Sequence, residues 1–426
     1  MPGCTSRVKP GQGKPNFEPA LLVHPLNQCD IWCCYDTETT WDAMAPSATP
    51  DKAPPDKDGV DGPNGIDVPH CGLSEPATGE PPTVSITMIG LDTSKSVFQI
   101  HGVNETGKAE LKRKVRRSEL IAFFEKQESC TVVMEACGAA HHWARILTGL
   151  GHTVKLIAPE AVKPFVKKGK KNDAADAAAI CEAASRPDAQ FVPAKTVAQQ
   201  GILALHTVRS LLVKQQTMLA NAIRGLATEF GHVVPKGLHN LEPLVALVDA
   251  DEAMPAQARQ AIAELHERFG ELAKGIQSCE AGIVKHARND ATARRLATIP
   301  GIGPITASLT AATVVDISLF KTARQFAAWL GLVPRQHSTA GKTRLGRITK
   351  AGNKEIRKLL VLGATSMLGR AEGWHSALGA WLRDILQRRP VRLVTVALAN
   401  KMARIAWAVM TRNEVYRAQG GVAAKA

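Results

Sequence analysis

The sequence predicts an α/β domain followed by mainly helical regions, and three observations carry that reading. Short apolar runs separated by turn residues fill 84–157, the pattern of strands alternating with short helices. From Val197 onward, apolar residues recur three and four apart, as amphipathic helices require. Residues 1–83 show neither period and hold fourteen of the twenty-five prolines.

In order, Ser85-Ile86-Thr87-Met88-Ile89-Gly90-Leu91-Asp92 reads as a buried strand. Val97 to Val103 and Lys108 to Val115 read as the next two, joined through an Asn104-Glu105-Thr106-Gly107 turn. A helix is predicted from Ser118 to Glu128, a strand at Thr131–Met134 and a helix from Ala139 to Leu150. A fifth strand follows at Thr153–Ile157, then helices from Pro159. The order β-β-β-α-β-α-β-α is that of a ribonuclease H-like mixed sheet.

Beyond Val197, Ile202, Leu205, Leu212, Leu219, Ile223 and Leu226 mark one apolar helical face. A second helix starts near Pro255. Its Ile262, Leu265, Phe269, Leu272, Ile276, Cys279 and Ile283 alternate three and four apart, as a coiled-coil seam does. The seam fits pairing between subunits and an internal antiparallel hairpin equally well. Further helices are predicted at 322–330, 353–368 and 391–411. The chain therefore divides into a Pro-rich acidic extension (1–83), an α/β domain (84–196), a helical coiled-coil region (197–290) and a C-terminal domain (291–426).

Charge points to a polyanionic partner. The net charge is +14, yet residues 1–83 carry five Lys/Arg against twelve Asp/Glu, so the rest is more basic still. The break at Val84 suits either a flexible tail or upstream DNA translated from a misplaced start, with Val84 or Met88 nearer the true beginning. Nine cysteines show no regular zinc-type pairing, and the four beyond residue 83 are isolated, which suits a reducing compartment. Leu296–Val315 lacks charge, but its two Pro, two Gly and four Thr read as a hairpin and not a membrane span. The expectation is a cytoplasmic protein with no membrane association.

Four acids stand out. Asp92 ends the first strand and Glu135 the fourth, and these strands are neighbours in a ribonuclease H-like sheet. Asp173 and Asp176 lie three apart, on one helical face. Converging carboxylates repel unless a counter-ion joins them, and Mg²⁺ or Mn²⁺ takes such oxygens while leaving positions for phosphate and water. Singly, Asp173 fits a helix cap and Asp92 a strand-end turn. Beside the pair, Lys167, Lys168, Lys170 and Lys171 suit a phosphate backbone or a solvated face.

Pro300-Gly301-Ile302-Gly303-Pro304 looks like a helix-hairpin-helix element, whose Gly301 and Gly303 would let backbone approach a phosphate, or a tight turn between packed helices. From Arg335 to Lys358 there are eight Lys/Arg and one acid, including Arg335, Lys342, Arg344, Arg347 and Lys350. Such a loop fits DNA or RNA. Ser338 lies within it, and by spacing alone reads as a turn residue.

Together these residues resemble the DEDD transposases of prokaryotic insertion sequences, also described as bridge-RNA-guided serine recombinases. The motifs are Ile89-Gly90-Leu91-Asp92, Met134-Glu135-Ala136-Cys137 and Gly169-Lys170-Lys171-Asn172-Asp173-Ala174-Ala175-Asp176. In the C-terminal part they are Ile299-Pro300-Gly301-Ile302-Gly303, Phe326-Ala327-Ala328-Trp329-Leu330-Gly331-Leu332-Val333-Pro334-Arg335 and Arg347-Ile348-Thr349-Lys350-Ala351-Gly352-Asn353. The resemblance implies a RuvC-like domain with Asp92, Glu135, Asp173 and Asp176 as the metal-binding tetrad. It implies a catalytic serine where Ser338 stands. Thr339 and Ala340, not a glycine, follow that serine directly, so Thr339 is a second candidate hydroxyl. It further implies a guide RNA pairing with target and donor DNA, and a homo-oligomer (dimer or tetramer) with composite active sites. A metal-dependent nuclease or Holliday-junction resolvase, and an inactive nucleic-acid-binding remnant, are the rival readings.

Overall fold

A computed structural model of the chain describes residues 85–166, 173–339, 341–370, 373–374 and 376–418. The expectations for residues 1–83 and for Lys167, Lys168, Lys170 and Lys171 lie outside the described residues.

Strands β1 (Met88–Asp92), β2 (Val97–Val103), β3 (Ala109–Arg116), β4 (Thr131–Glu135), β5 (Thr153–Ile157) and β6 (Phe191–Val192) form one sheet of order β3-β2-β1-β4-β5-β6. β1 runs parallel to β4, and β4 to β5, while β2, β3 and β6 pair antiparallel with their neighbours. The neighbouring first and fourth strands are as the sequence predicts. β6 was not predicted, because two residues carry no alternation to detect.

Helices cover both faces. α1 (Leu120–Phe124) and α2 (Ala140–Gly149) cover one, where Ile89, Leu91, Phe98, Met134, Trp143 and Leu147 are buried together. α3 (Pro159–Val162) and α4 (Asp173–Ala184) cover the other, where Val133, Ile157, Val162 and Ile180 are buried. Strand alternation thus puts Ile89 and Leu91 on one side and Gly90 and Asp92 on the α4 side. The helix predicted from Ser118 is shorter than expected, since it stops at Phe124 once Leu120, Phe123 and Phe124 are buried.

Beyond the sheet run α5 (Val197–Glu229), α6 (Leu241–Ala250), α7 (Ala256–Asn289), α8 (Ala291–Leu296), α9 (Pro304–Thr313) and α10 (Ala323–Trp329). A two-stranded hairpin follows, β7 (Pro334–Thr339) with β8 (Lys342–Ile348). The chain continues through α11 (Lys354–Leu368), α12 (Ala377–Arg388) and α13 (Val391–Arg412). The segment expected to be a basic loop is therefore a β-hairpin. α6 and α12 were not predicted individually.

Two compact units result, and Leu219–Glu267 belong to one of them. Ile223, Ala227, Leu241, Leu244, Val248 and Ile262 are among its buried residues. Within the other unit, α5 and α7 pack antiparallel over the segments Leu205–Leu212 and Gly275–Gly282. A β-carbon on Gly282 would meet Leu205 Cδ1 at 3.0 Å, and one on Gly275 would meet Leu212 Cδ1 at 3.1 Å. Arg209 pairs with Glu280 at 2.6 Å between them. Cys279 and Ile283 of the seam are buried there.

The C-terminal core gathers α8 to α13 around Phe326, Leu360, Ala364, Leu398 and Met402. α13 alone among the described helices is long and apolar enough to cross a membrane. Half of it is buried within the protein, with Val394, Leu398, Ala399 and Met402 in this core, which accounts for its composition.

Candidate active site

Asp92, Asp173 and Asp176 bring one carboxylate oxygen each to within 4.8 Å of one another. Asp92 closes β1, while the other two lie in the first turn of α4, where an acid also suits the helix dipole. Glu135 ends β4 next to Asp92. Burial and the charges of Asp176, Asp173 and Glu135 push the Asp92 carboxyl up to about 6. Burial, then Asp176 and Glu160, also raise Glu135. The four acids expected to meet therefore feel one another, with Glu135 outside the tight three-way contact. Glu160, in the first turn of α3, adds a fifth charge that the sequence reading missed.

Three small features make this possible. Gly90 lies beneath α4, and a β-carbon there would stand 2.4 Å from the Ala177 carbonyl oxygen and 2.7 Å from Cys181 Sγ. Cys181 Sγ donates to the His101 carbonyl at 3.3 Å, fixing α4 to β2. Thr93 Oγ1 and Cys137 Sγ lie 3.0 Å apart and join the chain just beyond the two strand ends that carry Asp92 and Glu135.

Ser338 sits on the exposed β7–β8 hairpin, opposite Thr343. Its Oγ accepts from Gln336 Nε2 at 2.8 Å. Strand alternation gives Ser338, Gln336, Thr343 and Leu345 one face of the hairpin. His337, Thr339, Lys342 and Arg344 take the other. The two candidate hydroxyls thus point in opposite directions, and the cations opposite β7 accompany Thr339. A register shift between Pro334 and Gln336 interrupts the alternation before Arg347.

The base of the hairpin is locked by backbone contact. A β-carbon on Gly331 (φ 69°) would collide with Ala351 O at 2.4 Å, and one on Gly352 (φ 63°) with Trp329 O at 1.8 Å. Arg357 donates to the carbonyls of Leu330 (2.9 Å) and Ala351 (2.6 Å). Lys350 is held at φ 57°, which few non-glycine residues adopt.

Gly301 and Gly303 have different surroundings. Gly301 (φ 80°) faces Met367 Sδ, Met402 Cε and the Gly363 carbonyl, so its lack of a side chain serves helix packing. Gly303 is exposed at the N-cap of α9, with open space where a side chain would stand.

Residues 89–231 match a DEDD-type transposase family of the IS110 group, and residues 293–379 match the Transposase IS116/IS110/IS902 family. The chain is 50% identical over 346 residues to a putative transposase, y4pF/y4sB, of Sinorhizobium fredii, covering 81% of this chain and 89% of that protein. The chain belongs to the IS110 transposase family. A probable family 20 transposase of Pseudomonas aeruginosa is 47% identical, over 78% of this chain and 99% of its own length. The transposase for insertion sequence element IS1111A of Coxiella burnetii is 40% identical, over 78% and 92%.

This transposase is thus a DNA-acting enzyme of an insertion sequence, and its family implies divalent metal use. The residues fit such an ion. Three hard oxygen donors converge, and among the described residues no Lys or Arg forms an ion pair with any of them. The Asp92 carboxyl is raised first by burial and then by the charges of Asp176, Asp173 and Glu135, and a dication would neutralise those charges. Gly90 and Cys137 were legible only as members of motifs and Glu160 not at all, because their roles are contacts across the fold.

Proposed function

We propose that this transposase is a site-specific DNA recombinase in which Ser338 attacks a DNA phosphodiester beside a metal-binding carboxylate site. The convergence of Asp92, Asp173 and Asp176, with Glu135 alongside, carries the reading. Bound Mg²⁺ or Mn²⁺ would supply charge stabilisation for a phosphoryl transfer. The carboxylates hold that charge at a fixed point, and Gly90 keeps the helix that carries two of them close to β1.

In the proposed step, Ser338 Oγ bonds to phosphorus and one P–O bond to deoxyribose breaks. The serine proton passes to solvent, and the departing sugar oxygen takes one up. The phosphoserine ester retains the bond energy that hydrolysis would discard, so the strand can be rejoined without an external energy source. Arg335, Lys342, Arg344, Arg347 and Lys350 cluster on and beside the hairpin. They offer positive charge to the DNA backbone, as does the Lys167–Lys171 run, which includes Lys168 and Lys170, while the exposed Gly303 turn would offer the N–H groups that open α9. Gly301 enters the same proposal only through the turn it shapes. A structured guide RNA would supply sequence choice. Assembly of two or more copies would bring a hairpin from one copy to the carboxylates of another.

The experiment incubates the protein with Mg²⁺, target DNA and element RNA, then maps any adduct by mass spectrometry. An adduct on Ser338, absent in Ser338→Ala and in Asp92→Asn while DNA and RNA binding persist, is expected. Metal-dependent cleavage with no adduct makes the enzyme a hydrolytic nuclease or resolvase. Binding without cleavage in the wild-type protein makes this copy an inactive remnant. An adduct on Thr339 moves the nucleophile to the other hairpin face.

A further inference from the structure

Strand β3, at the edge of the sheet, carries Lys112, Arg113, Lys114 and Arg116, with Arg117 directly after it. Alternation sorts these residues. Arg113 turns to the α1 side, its guanidinium 5.7 Å from the Phe123 ring centre. Lys112 and Lys114 turn to the α4 side, in register with His101 and Gln99 of β2. The register continues to the active site, because Gln99 pairs with Asp92 and His101 with Gly90. One rung therefore reads Asp92, Gln99, Lys114, and the next Gly90, His101, Lys112.

A cavity of about 390 Å³ opens on this face, between Gln99, His101, Lys112, Lys114 and the alanines Ala174 and Ala178 of α4. The alanines leave it unfilled. Gln99 is 7% exposed, yet its carboxamide makes no hydrogen bond among the described residues. Lys112 and Lys114 are exposed and form no ion pair among the described residues, whereas the nearby Glu110 is already engaged by Lys108 at 3.4 Å and Asn104 at 3.0 Å. His101, half-buried and beside Lys112, is held below its ordinary value by burial and by that lysine's charge.

We propose that this cavity binds a backbone phosphate of the nucleic-acid strand being processed at the carboxylates, with Lys112 and Lys114 meeting the charge and Gln99 donating to an oxygen. The inference rests on the function proposed above and gives the substrate strand a path across the sheet. Two strand spacings separate Lys114 from Asp92, roughly 10 Å. That is on the order of three nucleotides of rise along one strand from the scissile bond. The occupant is an anion because the cavity mouth is cationic. It is a phosphodiester because the same rung ends at a site for phosphoryl transfer.

The test uses the full chain carrying Lys112→Gln and Lys114→Gln together. Fluorescence anisotropy follows binding to a labelled DNA duplex and to a labelled RNA hairpin over a range of KCl. Each phosphate contact contributes about 0.9 to the slope of log affinity against log salt on duplex DNA. The double variant is expected to lower the slope by about 2 and the affinity on the order of ten-fold, with circular dichroism unchanged. Loss on DNA alone assigns the strand as DNA, and loss on RNA alone assigns it as RNA. Gln99→Leu is expected to weaken binding without changing the slope. Unchanged slope and affinity on both probes overturn the proposal. So does an equal fall in Lys274→Gln with Lys285→Gln, a pair on α7, because the effect would then be one of net charge. A wild-type protein that binds neither probe overturns this proposal and the functional reading together. One that cleaves DNA while the β3 variant binds normally overturns this proposal alone.

Discussion

Gly90 and Ala177 approach so closely that a β-carbon on the glycine would lie 2.4 Å from the alanine's carbonyl oxygen. That contact sets the distance between β1, which carries Asp92, and α4, which carries Asp173 and Asp176. Gly90→Ala is therefore expected to push α4 outward, with an overpacking cost of about 1–3 kcal/mol. Thermal melting should fall by several degrees, and DNA cleavage should fall further than the stability loss explains. Full cleavage with a lowered melting temperature would show that the site tolerates the displacement.

The carboxylate cluster makes stability depend on pH and on divalent ions. Asp92 is raised from 3.8 to about 6 in the folded protein, so the folded state binds the extra proton between those values. Without a divalent ion, its contribution to stability is present at low pH and is lost as pH rises from about 4 through 6. Ion binding needs the deprotonated carboxylate, so ion affinity rises over the upper part of the same window. Melting curves at pH 5 and pH 7.5, with and without Mg²⁺ or Mn²⁺, should show a larger stabilisation by ion at pH 7.5. Asp92→Asn should melt no lower than wild type without ion and lose the ion-dependent gain. A wild-type protein indifferent to ion at pH 7.5 would remove the metal from the site.

Ser308 of α9 is fully buried between two histidines, His206 Nε2 at 3.0 Å and His286 Nδ1 at 2.9 Å. It ties α5, α7 and α9 together. Ser308→Ala leaves both imidazoles short of a partner and is expected to cost about 1–3 kcal/mol in urea denaturation. Burial, with Arg209 and His286 nearby, pushes His206 down from 6.5 to about 4. Its stabilising contribution is thus present above pH 6.5 and is lost as pH falls toward 4. Denaturation midpoints at pH 7.5 and pH 5 in wild type and His206→Leu should differ in that direction. An identical pH response in both would release His206 from this role.

The α5–α7 hairpin covers its own seam where Leu205–Leu212 meets Gly275–Gly282. Ile283→Asp places a charge at a residue with no exposed surface and is expected to cost at least 3 kcal/mol. Circular dichroism should register loss of helix at any protein concentration. A variant that stays folded and only dissociates a dimer, by light scattering, would assign this part of the seam to the subunit interface.

The sequence by itself determined the order of elements along the chain, β-β-β-α-β-α-β-α, because short apolar runs broken by turn residues mark strands and short helices, and that order makes the first and fourth strands neighbours. It also singled out four acids, since Asp92 and Glu135 end neighbouring strands and Asp173 and Asp176 share a helical face, and three of them, Asp92, Asp173 and Asp176, converge in the fold. The tertiary structure decided the rest. Whether the α7 seam pairs within the chain at Gly275–Gly282 depends on Leu205 and Leu212, more than sixty residues away. That the Arg335–Ile348 segment forms a hairpin depends on Gly331 and Gly352 interlocking with Ala351 and Trp329, contacts with no local period. The basic track on β3 was missed for a related reason. Lys112 and Lys114 look like a solvated charge run until register places them two strands from Asp92 and beside Gln99. Local pattern specifies elements and faces, whereas which faces meet is fixed only by the close packing of residues distant in the chain.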